Sequence, residues 1–164
     1  MGDTTTKIDL SGTHLPVLAR MMLTTSGAVL ELGAGLNSTP FLFWMCKSEG
    51  RLFKSYENDK AWCEKLPSFT EYIEDWDSVP INDFFWSLVF IDHRPAIRRH
   101  VDAIRVANKA MFVVLHDSEP EIDRFYAYRR VYPHYRFRYD YKRLLPNTTI
   151  LSNFANPKDI FDLR

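Results

Sequence analysis

The sequence predicts an α/β fold: a seven-stranded, mostly parallel sheet with helices on both faces and an antiparallel hairpin at its C-terminal end. Three observations predict it. Short runs rich in Val, Ile, Leu and Phe alternate with segments of helical period, which is the pattern of parallel strands buried on both sides. Four of these runs stop at a glycine or a titratable residue, namely Gly33, Glu57, Asp92 and His116. Near the end, Tyr135, Phe137, Tyr139 and Tyr141 alternate with Arg136, Arg138, Asp140 and Lys142, the period of two that belongs to a strand with one covered face.

Residues 1–10 are polar and read as a frayed leader, which leaves 11–164 as a single domain. A helix is expected over about 13–24, with Leu15, Leu18, Met22 and Leu23 on its apolar side and Gly27 as its stop. Strand one is 28–32. Ser38 or Thr39 caps the next helix, Pro40 suits its first turn and Gly50 ends it. Strand two runs from about 51 to Glu57, a short helix follows over 58–66, and strand three lies near 70–73. Strand four is 86–91. After Pro95 a helix is expected with Ile97, Val101 and Ile104 inward and its arginines, Arg94, Arg98 and Arg99, on the outer face. Strand five is 110–115, a helix covers about 119–131, and Pro146-Asn147 turns strand six into strand seven, 148–152.

Composition narrows the function classes. With 164 residues, 46% of them hydrophobic, the chain can bury one sizeable core. The balance of 21 basic and 21 acidic residues gives no net field toward nucleic acid or an anionic membrane. The basic stretch from Arg124 to Arg143 is interleaved with tyrosines, yet the strand period turns the rings inward and leaves a solvated cationic face. No apolar run approaches the roughly 18 residues of a membrane span, so a cytoplasmic protein is expected. Cys46 and Cys63 lie in expected helices without CxxC or zinc spacing and read as buried free thiols.

The most informative motif is Val29-Leu30-Glu31-Leu32-Gly33-Ala34-Gly35. It resembles the first motif of the class I, Rossmann-like, S-adenosylmethionine-dependent methyltransferases, an acidic residue followed by G-x-G at the end of strand one. The resemblance covers roughly 11–154. Ser11-Gly12-Thr13-His14, Asp92-His93-Arg94-Pro95 and His116-Asp117-Ser118-Glu119 are also similar to stretches of an uncharacterised methyltransferase-like group. The resemblance implies S-adenosylmethionine as cofactor, bound at the carboxyl ends of the strands where open α/β sheets take ligands. Glu31 would pair with its ammonium group, directly or through water. Gly33 and Gly35 would let the backbone approach it, with Ser38 and Thr39 opening the adjoining helix. Glu57, about 20 residues further on, would accept both ribose hydroxyls. Asp75 and Trp76 match the position near the adenine, and Asp92 faces the place where methyl donor and acceptor meet. Each residue also has a structural reading: Glu31 as partner of a core arginine, Glu57 as a helix N-terminal carboxylate, Trp76 as core.

Catalysis is expected at Asp92-His93 and His116-Asp117, which adjacent parallel strands bring into one cleft. His93 or His116 is the candidate base, oriented by Asp92 or Asp117, because an imidazole titrates near neutral pH. A second version follows the metal-dependent O-methyltransferases, with Asp92 and Asp117 holding magnesium. His116-Asp117-Ser118 stands where that family has an Asp-Asn pair, so no residue is assigned to a metal, and His14 is read as a leader-loop residue. The expected acceptor is a small or moderately sized molecule methylated at oxygen or nitrogen, with no nucleic-acid or membrane partner and a homodimer left open. Two other readings stay open: a non-catalytic methyltransferase-like subunit, and a nicotinamide-dependent oxidoreductase with Ser38 at the third position of its glycine fingerprint.

Overall fold

The computed structural model describes residues 12–66 and 68–162, so the expected leader at 1–10 lies outside the described residues. The strands are β1 (Val29–Leu32), β2 (Phe53–Glu57), β3 (Thr70–Tyr72), β4 (Trp86–Ile91), β5 (Ala110–His116), β6 (Phe137–Tyr141) and β7 (Thr148–Ser152). They form one sheet in the order β3-β2-β1-β4-β5-β7-β6. β1 to β5 are parallel, and β7 enters antiparallel between β5 and β6. This is the mostly parallel α/β sheet with a closing antiparallel pair that the sequence predicts. The order in which strands are added to the sheet reverses between β1 and β4, so the connections leaving these two parallel strands diverge and open a crevice above their carboxyl ends.

β1 and β4 are buried at every position, which fits apolar strands covered on both sides. On one face α1 (Leu15–Thr24), α2 (Ser38–Ser48) and α6 (Lys158–Phe161) lie over Val29, Leu88, Phe90, Val114 and Ile150. On the other, α4 (Arg99–Arg105) and the segment after β5 bring Ala103, Val106, Tyr128 and Val131 against Leu30, Val89, Ile91 and Leu115. Alternation along the strands assigns each strand-end residue to one of these two layers. Two short helices, α3 (Lys60–Cys63) and α5 (Asp123–Tyr126), follow β2 and β5. Among the described residues, no helix is long and apolar enough to cross a membrane.

Several helix faces differ from the sequence expectation. α1 buries Val17, Leu18, Met21 and Met22, whereas Leu23 is exposed. The stretch after Pro95 is a 3-10 turn over Ala96–Arg98, and α4 starts only at Arg99. Its inward face carries Arg99 and Asp102 beside Ala103 while Ile97 is exposed, so charge pairing joins apolar contact in seating this helix. The helix expected over 119–131 is divided by Ala127, which takes a left-handed conformation with φ 55°. The Asp123 carboxylate holds that break by accepting bonds from the Arg129 backbone N–H and Nε, at 3.0 and 2.7 Å. The Tyr128 hydroxyl, buried beyond it, donates to the carbonyl of His116. Cys46 is buried and free as expected; Cys63 is also free but only half-buried.

Candidate active site

The glycine turn after β1 is shaped by the neighbouring strand. Gly33 has φ +92°, and a Cβ placed on it would stand 2.3 Å from both the Cα and the backbone nitrogen of His93. Only a residue without a side chain lets β1 and β4 end this close together. Alternation sends Leu30 and Leu32 to one core layer and Glu31 to the other, beneath α2. There Glu31 is wholly buried and accepts hydrogen bonds from the hydroxyls of Ser55 (2.6 Å) and Thr39 (2.7 Å), with Ser38 also bonded to it. Thr39 Oγ1 in turn accepts from the Gly35 backbone N–H at 2.8 Å. Glu31 therefore braces the glycine turn from below. It does not line the cavity described next, and no core arginine pairs with it among the described residues.

Burial raises the pKa of this carboxylate to about 7 from an ordinary 4.5; the three hydroxyls oppose the rise without cancelling it, and the Asp92 carboxylate adds to it. A raised folded-state value favours the protonated form on folding. The associated stabilisation is present below pH 4.5 and is lost as pH rises to about 7, an effect of roughly 3 kcal/mol. Glu31→Gln cannot titrate, so its stability should lack this decline. Urea midpoints of both proteins at several pH values between 4.5 and 8 test it, and parallel profiles would contradict the buried, uncompensated carboxylate.

A cavity of about 700 Å³ opens above the ends of β1, β2, β4 and β5. One end is walled by Ala34, Gly35, Ser38, Glu57, Asp59 and Trp62. Glu57 closes β2, where its Oε2 accepts from the Ala34 N–H and its Oε1 from the N–H groups of Asn58 and Asp59, at 2.8 to 3.1 Å. Burial raises its pKa, and these three donors oppose the rise. Trp62 Nε1 donates to the Ala34 carbonyl at 2.9 Å and sets the indole against this wall. Sequence reasoning missed Trp62, whose only local signal is its place one turn after Asp59, the cap of α3. Asp75 and Trp76 do not line the cavity. The Asp75 carboxylate caps a 3-10 turn by accepting from Asp77 N–H, and Trp76 is buried, stacked on the His93 ring with centroids 4.1 Å apart.

The other end holds His14, Asp92, Arg99, His116 and Asp117. Arg99, expected on an outer face, is buried and spans both carboxylates, reaching Asp92 Oδ1 at 2.8 Å and Asp117 Oδ2 at 3.0 Å. It also donates to the carbonyls of Asp92 and His93. A guanidinium thus occupies the space between Asp92 and Asp117, and these two residues do not fit a magnesium ion held between them. His93 departs from its expected role as a base. Its side chain is fully buried and turns away from Asp92 into the α4 layer, where Nε2 lies 3.0 Å from Asp102. Asp102 collects Arg98 and Arg105 as well; burial raises its pKa, but His93 and the two arginines outweigh that and hold it at about 2.

Of the two expected bases, His116 is the one whose ring faces the carboxylates of the cavity. The Thr13 hydroxyl donates to the carbonyl of Pro146, so its oxygen is left to accept from His116 Nε2–H at 3.1 Å. That bond turns His116 Nδ1 toward Asp92 Oδ2 (3.4 Å) and Asp117 Oδ1 (3.6 Å). Burial lowers the His116 pKa, but the Asp92 and Asp117 carboxylates outweigh it and raise the value. Asp92 moves the opposite way: burial raises it, and His116 and Arg99 bring it below the ordinary range. His14, expected in a leader loop, is the N-cap residue of α1 and packs its ring edge-on to His116 at 4.7 Å. Burial and the neighbouring His116 hold its pKa near 4, so the ring is neutral.

The sequence matches no protein-family model and no curated protein. Solved structures do match the fold. The human methyltransferase 10 domain containing protein superposes with a TM-score of 0.58 at 9% identity, over 91% of this chain and 85% of that one. A spermidine synthase solved with the transition-state analogue AdoDATO gives 0.55 at 15% identity, over 87% of this chain and 58% of its own. Precorrin-6y C5,15-methyltransferase from Geobacter metallireducens GS-15 gives 0.53 at 13%, over 84% and 85%. At these identities the likeness is one of fold alone, shared with two methyltransferases and a spermidine synthase.

Proposed function

We propose that the chain transfers the methyl group of S-adenosylmethionine to a small or moderately sized acceptor, at oxygen or nitrogen. The observation that carries this reading is the cavity itself, with a carboxylate at the end of β2 on one side and Asp92, His116 and Asp117 on the other. Its volume of about 700 Å³ is of the size that takes a nucleoside-bearing cofactor. Both oxygens of Glu57 are held by backbone N–H groups; these three donors fix the carboxylate in place and leave one acceptor site, on Oε2, for a ribose hydroxyl. Trp62 is the ring on hand for the nucleoside. The bare backbone at Ala34-Gly35 leaves room for the aminoacyl portion, with Ser38 at its side.

Bound there, the cofactor supplies an activated methyl on a sulfonium. The chain's own residues then have two tasks, to position the acceptor and to accommodate its proton. Asp92, His116 and Asp117 suit both, because Arg99 and Thr13 fix their orientations. The antiparallel β7 between β5 and β6 favours this cofactor over a nicotinamide dinucleotide, whose binding sheet has the parallel order 3-2-1-4-5-6.

Calorimetry with S-adenosylmethionine, S-adenosylhomocysteine and NAD tests the reading, and binding of NAD alone would overturn it. Glu57→Gln removes the charge while keeping the volume. It should weaken S-adenosylhomocysteine binding by about tenfold or more, as expected for a charge-assisted hydrogen bond. Unchanged affinity would remove Glu57 from the ribose.

A further inference from the structure

We propose that His14, Asp92 and His116 form a binding site for a divalent transition-metal ion of the zinc type. Their donor atoms, one ring nitrogen from each histidine and one carboxylate oxygen, lie within 4.8 Å of one another. His14 is only 3% exposed, and neither of its ring nitrogens has a hydrogen-bond partner among the described residues. A buried imidazole without a partner is costly and calls for an occupant. Its ring lies between Phe90 and His116, at the wall of the cavity.

The surrounding bonds leave the correct lone pairs pointing inward. Thr13 holds His116 through Nε2, so Nδ1 faces the cluster, and Arg99 holds Asp92 through Oδ1, so Oδ2 does the same. Such outer partners orient ligands in metal sites. The distance from His116 Nδ1 to Asp92 Oδ2 is 3.4 Å, long for a hydrogen bond but close to the separation of about 3.4 Å between two ligands of a tetrahedral zinc. Two imidazoles among three donors select a zinc-type ion over magnesium or calcium, which prefer oxygen. Formal charge agrees once the ion takes the place of any proton on His116 Nδ1: Asp92 and Asp117 against Arg99 leave one negative charge to meet the cation.

Three protein ligands and a fourth position open to a cavity are the pattern of a reactive, not a structural, site. That position faces the acceptor end, so the preferred acceptor is one whose oxygen can coordinate. This last step rests on the methyl-transfer reading; the ion site does not.

The test uses the full chain, freed of metal by chelator and dialysis and then titrated with Co²⁺ and, by calorimetry, with Zn²⁺ and Mg²⁺. One Co²⁺ per chain should appear with the visible d–d bands of a low-coordinate ion, Zn²⁺ should displace it, and Mg²⁺ should not. His14→Ala should weaken Zn²⁺ binding by about 100-fold, and Thr13→Val by about 10-fold. His14→Gln, nearer in size and polarity, replaces the alanine variant if that one fails to fold, as judged by circular dichroism. Absence of the Co²⁺ bands in the unmodified protein overturns the proposal, as does unchanged affinity in a folded His14 variant. S-adenosylhomocysteine binding, measured separately, keeps the cofactor reading distinguishable from this one.

Discussion

Gly33→Ala is expected to cost the protein most of its stability. The added methyl would meet the His93 Cα and nitrogen at 2.3 Å and the Asp92 carbonyl carbon at 2.6 Å. These are backbone atoms at the end of β4, so relief requires the two strands to part and not merely a rotamer to turn. The residue would also have to keep φ +92°, which an alanine resists. Together these place the loss at about 4 kcal/mol or more, at the extreme of single substitutions. Gly35→Ala is the matched control, since its Cβ would approach only the Ser38 hydroxyl, at 3.0 Å, and a side-chain oxygen can yield. Urea unfolding of the two variants should therefore differ sharply. Similar midpoints would mean that close approach of β1 and β4 is not what the first glycine serves.

The sheet was legible in the sequence because each strand is a short apolar run with its own punctuation, the pattern of parallel strands buried on both faces. The strand ends were legible for the same reason: Glu57, Asp92, His116 and Asp117 all stand where the runs stop, and all line the cavity. What the sequence could not give is which way each of these points and what meets it. Asp92 and His93 are adjacent, yet period two sends one toward the cavity and the other to Asp102 in α4. Glu31 follows the same rule, and faces α2 instead of the opening. Arg99 misled because an arginine in a helix is read as surface, while its burial depends on two carboxylates brought from β4 and β5. His14 stands in a stretch that carries the family resemblance, but nothing in the sequence put it at the site. Its place beside His116 is set by where α1 docks across the sheet, a tertiary fact that no local spacing records.

The second large effect should come from Arg99→Met. The methionine fills much of the same volume, so the change isolates the charge and its hydrogen bonds. Arg99 neutralises Asp92 and Asp117 together and ties down the carbonyls of Asp92 and His93. Without it, two carboxylates face each other in a half-buried cleft with one fewer cation than they need. Breaking such an arrangement typically costs about 3 to 5 kcal/mol, mostly the penalty for charges left uncompensated. The pH dependence has a definite sign. Arg99 helps to hold the Asp92 pKa below the ordinary range, so its contribution is present above the ordinary carboxylate pKa and is lost as pH falls through the lowered value. The deficit of the variant should therefore be full near neutral pH and shrink in acid. Arg99→Lys should recover only a small part, because an ammonium cannot span both carboxylates and donate to both carbonyls at once. Denaturant unfolding at neutral and acidic pH reads all three expectations. A lysine variant as stable as the native protein would reduce Arg99 to a point charge, and with it the claim that one guanidinium sets the geometry of the acceptor end.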